Sequence, residues 1–76
     1  MLASVIVDII RARGAVRRKA LPSLVERRAP DMWIACYDVR VIHAAIGTAA
    51  VEAEVAGSIH RVGEWWAAGP APRMGT

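Results

Sequence analysis

The chain has 76 residues, 55% of them hydrophobic, and a net charge of +3. That length allows one small domain with a thin core and leaves little room for a deep enclosed active site. The single cysteine, Cys36, excludes an internal disulfide. The apolar run at residues 2–10, "LASVIVDII", carries Asp8 and is too short to cross a bilayer.

Residues 3–10 are expected as a strand. Val5, Val7 and Ile9 share one face, Ser4 and Asp8 the other, and the β-branched density favours that state. The same stretch fits a helix with Leu2, Val5, Ile6 and Ile9 on one side and Gly14 near its C-terminal cap, so periodicity leaves both open. Residues 14–21 read as a basic loop or a separate helical turn. A short helix is expected at 23–28, with Pro22 at its start and Pro30 closing the segment.

Residues 32–43, "MWIACYDVRVIH", alternate Trp33, Ala35, Tyr37, Val39 and Val41 against Ile34, Cys36, Asp38 and Arg40, which predicts a second strand. Residues 48–67 predict a long amphipathic helix. Val51, Val55, Ile59, Val62 and Trp66 form its apolar stripe, with Ala49, Ala53, His60 and Glu64 on the other side and Thr48 as N-cap. Gly57 and Gly63 within it would mark a bend or a close backbone approach. The segment 69–76, "GPAPRMGT", is expected as a flexible tail.

The order of elements implies an α+β fold: one domain over 1–68, built on a two-stranded sheet that a homodimer could continue. The alternative is an all-α bundle in which the first segment and residues 32–46 are helices. The high apolar fraction implies some exposed apolar surface, hence a homodimer or a partner-binding face.

No set of residues specifies catalysis. Cys36, Asp38 and His43 are the ingredients of a nucleophilic site, yet on a strand His43 points away from the other two. One Cys and two His residues, His43 and His60, do not make a zinc site; His60 and Glu64 at i, i+4 read as an exposed helix pair. Gly47 and Thr48 could open a helix N-terminus to an anion, but one glycine is not a phosphate loop. No cofactor, no metal and no enzymatic activity are expected. Trp33 and Trp66 are expected in the core, Trp65 as an exposed interface anchor.

Charge carries the functional expectation. Residues 1–40 hold eight basic and four acidic residues, residues 41–76 two and three. Seven basic residues, Arg11, Arg13, Arg17, Arg18, Lys19, Arg27 and Arg28, fall in one segment with a single acid, Glu26. Such a segment attracts acidic protein surfaces, nucleoprotein complexes or phosphates. Pro22 breaks the place where a helix-turn-helix would put its recognition helix, and residues 11–28 hold no aromatic residue on which bases could stack. Nucleic-acid contact would therefore go to phosphates and be salt-sensitive.

In size, basic charge and lack of motifs the chain resembles small phage-encoded inhibitors of the anti-CRISPR type. The resemblance implies occlusion of a host nucleic-acid-guided complex, through an acidic protein surface or through its guide RNA or DNA. The expected function is non-enzymatic docking on a larger partner through the seven basic residues and Trp65. The alternative is a small dimeric regulator that binds nucleic acid through the same residues. The positive charges follow the first apolar run, where a signal peptide would place them ahead of it, so a cytoplasmic location without membrane contact is expected.

Overall fold

The structure, a computed structural model, describes residues 2–35 and 38–72. It is α+β, with helices and a three-stranded antiparallel sheet in place of the expected two strands.

The first segment is a helix, α1 (Leu2–Arg13), which corrects the strand expected at 3–10. A strand would put Ile6 and Ile10 on the face with Ser4 and Asp8. The helical period instead gathers Ile6, Ile9 and Ile10, and all three are buried. Gly14 ends the helix. It takes the left-handed conformation at φ 81°, and its N–H donates to the Ile10 carbonyl at 2.7 Å.

The chain then runs through β1 (Ala15–Arg17), a 3-10 turn (Arg18–Ala20) and α2 (Leu21–Arg28). The helix expected at 23–28 is present and begins two residues earlier, with Pro22 in its first turn. Leu21 and Val25, one turn apart, are buried against the core.

The strand expected over 32–43 is also corrected. A short helix, α3 (Asp31–Ala35), precedes α4 (Val39–Val55). Asp38 caps α4, accepting the Arg40 N–H at 2.9 Å, so Thr48 lies inside the helix and does not start it. Cys36 and Tyr37 lie outside the described residues.

The helix expected at 48–67 stops at Val55. Gly57, at φ 80°, donates to the Glu54 carbonyl at 3.0 Å, and the Ser58 N–H donates to the Ala53 carbonyl at 3.0 Å. This pair of bonds is a Schellman cap, which only a residue at ease with positive φ can close. The remaining residues form a hairpin, β2 (Ile59–Val62) and β3 (Trp65–Ala68). Its two-residue loop has Gly63 at positive φ followed by Glu64, the Gly-X order of a type II′ turn.

The predicted stripe is thus largely reversed. Val51, Val55 and Val62 are exposed, while Ala49 and Ala53 are buried with Ile42, Ile46 and Ala50. The reason is steric. Small side chains on one face of α4 let α1 pack closely, so the alanines face inward and the valines outward.

In the sheet β3 is central, in the order β1-β3-β2. Val16 is opposite Trp66, and Trp66 is opposite Arg61, on the face turned to the helices; Val16, Trp66 and Ile59 are buried there. The other face presents Arg17, Trp65 and Val62 in one cross-strand row. Trp66 in the core and Trp65 at the surface are as expected, and Trp33 is half-buried against the core.

Candidate functional site

The seven basic residues of the 11–28 segment are all exposed, and none forms an ion pair with a described residue. The fold divides them into three groups. Arg11 borders a hollow between α1 and α4, beside Asp8 and Glu52. Arg13, Arg27 and Arg28 surround a hollow of about 290 Å³ where the C-terminal ends of α1 and α2 meet, over Ile9 and Leu24. Arg17, Arg18 and Lys19 lie at the opposite end of α2, beside the hairpin.

The second group has a structural role. Arg13 closes α1, and Arg27 and Arg28 close α2, where the helix macrodipole favours positive charge. The third group has no such role. Arg18 and Lys19 stand just ahead of the α2 N-terminus, where the macrodipole disfavours a cation. Ala20 gives that helix no side-chain cap, and its first turn holds no acid.

Trp65 joins this third group. It is opposite Arg17 in the strand register, and the Arg17 guanidinium lies over its ring at 5.2 Å from the centroid. The Arg18 N–H donates to the Glu64 carbonyl at 2.8 Å, which ties the 3-10 turn to the hairpin loop. Three cations and a 41%-exposed tryptophan therefore form one patch. The aromatic residue absent from residues 11–28 is supplied across the sheet.

Arg61, missed from the sequence, sits on the other face of the hairpin. It lies over the Trp66 ring at 5.0 Å, with one guanidinium nitrogen 3.7 Å from a Glu54 carboxylate oxygen. A groove of about 870 Å³ opens between this face and α4, walled by Arg18, Lys19 and Pro22 on one side and Gly47 and Ala50 on the other, with Trp66 at its base. Recognising the Val62-Gly63-Glu64-Trp65 turn would have found the Arg61–Trp66 pair, which is cross-strand in the hairpin.

The remaining expectations resolve otherwise. Asp38 serves as the α4 cap and His43 lies on that helix, while Cys36 is outside the described residues. His60 and Glu64 are on a hairpin and not a helix; the His60 Nδ1–H donates to the Gly69 carbonyl at 3.0 Å. Gly47 and Thr48 are inside α4, where no helix N-terminus is offered to an anion. Among the described residues no three metal-ligating side chains converge, and no helix is long and apolar enough to cross a membrane. No family model matches the chain, and neither a curated protein nor a solved structure does so.

Proposed function

We propose that this protein is a non-enzymatic docking protein whose contact patch is Arg17, Arg18, Lys19 and Trp65, and that it binds an acidic surface on a larger partner. The observation that carries this is the position of Arg18 and Lys19. They are exposed, without ion-pair partners among the described residues, and at the end of α2 where a cation is locally unfavourable. Local rules are broken in this way chiefly where function requires it. Arg and Trp are also the residue types that dominate interface energetics. The likeness to small phage-encoded inhibitors suggests the kind of partner, a host nucleic-acid-guided complex occluded by the bound protein.

A pull-down from the host with the wild-type chain and with Arg17→Glu, Arg18→Glu and Lys19→Glu combined tests the proposal. A protein partner retained by the wild type and lost by the variant supports it. An unchanged partner list overturns it.

The stacking of Arg17 on Trp65 favours a second reading, contact with single-stranded nucleic acid. Phosphates would meet the cations and one base would stack on Trp65. In that case binding falls steeply with salt, and nuclease treatment removes the captured partner.

A further inference from the structure

We propose that the groove between α4 and the hairpin binds a single-chain amphipathic anion, an alkyl chain that carries one carboxylate or phosphate head. The site shares Arg18 and Lys19 with the docking patch. It does not rest on the docking reading, because binding is measured on the isolated protein.

Shape and lining set the body of the ligand. At about 870 Å³ the groove falls in the range of sites that take one small organic molecule, ~300–1,000 Å³. Its α4 wall runs from His43 to Glu52, ~14 Å at 1.5 Å per residue, which is the length of a medium alkyl chain. Leu21, Ile46, Ala50 and Trp66 make the floor, with Pro22 and Val51 in the walls. An aliphatic body suits this lining better than a planar ring. Trp66 is the only Trp or Tyr among the described lining residues, and it is buried, with the Arg61 guanidinium over its ring at 5.0 Å. Little ring surface is left on which a base could stack.

Gly47 is the second observation. It stands at the centre of α4, where glycine is the poorest helix former short of proline. Its φ is not positive, so the backbone does not call for glycine. Apart from its own helix backbone and chain neighbours, no described atom lies within 4 Å of where a Cβ would stand, so packing does not call for it either. What the missing side chain leaves is room in the groove, whose α4 wall is bare backbone at this point.

Charge sets the head. Arg18 and Lys19 are adjacent, exposed and without ion-pair partners among the described residues. The other groove cation, Arg61, is engaged with Trp66 and with Glu54 at 3.7 Å. His43 and two acids, Glu52 and Glu64, complete the charged and titratable lining. Glu52 belongs to the C-terminal part of α4, close in sequence to the Arg61 partner Glu54. Glu64 meets Arg18 through its backbone carbonyl, which accepts the Arg18 N–H at 2.8 Å. An anionic head therefore goes to Arg18 and Lys19, and the apolar body lies along the α4 wall past Gly47. A cationic head would find neither a free carboxylate pair nor relief from these two charges.

Calorimetry with decanoate, decyl phosphate and decyltrimethylammonium, each below its micelle concentration, tests the proposal on the purified chain. The two anions should bind one per chain with a dissociation constant on the order of 100 µM. The tighter of the two identifies the headgroup. Amide chemical shifts should move at Lys19, Gly47 and Ala50. Gly47→Leu fills the groove and should lower affinity about tenfold or more. Circular dichroism checks that it folds, and Ala44→Leu is the substitute if it does not. Arg18→Gln combined with Lys19→Gln should weaken the anions by about tenfold or more and leave decanol unchanged.

Absence of saturable binding by both anions up to millimolar concentration overturns the proposal. So does equal binding of decyltrimethylammonium, or a folded groove-filling variant that binds as the wild type does. A chain that binds decanoate but loses no protein partner on reversal of Arg17, Arg18 and Lys19 retains this site and loses the docking function.

Discussion

The two ends of α2 carry similar residues in opposite physical situations. At its C-terminus Arg27 and Arg28 join Arg13 of α1, and helix dipoles favour all three. At its N-terminus, about 12 Å away, Arg18 and Lys19 stand against the dipole with Arg17 and Trp65 beside them. In the sequence these residues form one basic run. The fold separates cations that hold helices together from cations that weaken one. The second kind is the better guide to a binding surface.

The largest expected effect is on binding. Reversing Arg17, Arg18 and Lys19 together should lower affinity for the captured partner on the order of a hundredfold or more, measured by calorimetry or surface binding. The comparison breaks if Arg27→Glu with Arg28→Glu does the same. That pair should instead lower stability by about 1–2 kcal/mol in chemical denaturation and leave affinity within a few-fold.

Trp65→Ala should fall between these effects. It removes the stacking of Arg17, worth about 0.5–1 kcal/mol of stability at an exposed site, and it should also weaken partner binding. The smallest effect has the most informative sign. Lys19→Glu should raise the stability of the free protein by a few tenths of a kcal/mol, by placing an acid near the α2 N-terminus, while weakening the complex. High salt should shrink the stability changes at both ends, because these charges are exposed.

The same contrast shows what the sequence made legible. Residues with one dominant local constraint were readable. Pro22 marked the start of α2, Trp66 belonged to the core, and Trp65 did not. Gly14 falls near a C-cap only in the helical reading of residues 2–10, and that is the conformation the chain adopts. The caps at Asp38 and Gly57 are not legible because each residue fits a longer pattern in the sequence. Alternation across 32–43 hid an N-cap, and a run of i, i+4 matches across 48–67 hid a C-cap. The exposed valines of α4 make its outer stripe look like a core in the sequence, and only packing against α1 decides in favour of the alanines. The patch was half legible. Its cations were named from the sequence, but the pairing of Arg17 with Trp65 depends on a strand register spanning most of the chain.

The central place of β3 has a consequence for how the protein is made. Both neighbouring strands precede it in the chain, and β1 pairs with nothing else in the sheet. During synthesis the helices can form and pack early, but no sheet can close until the ribosome has released the residues through Ala68. Closing the β1–β3 pair across about fifty residues is then the long-range event. The patch that Arg17 shares with Trp65 comes into being at that moment, so a nascent chain would have no finished surface to present.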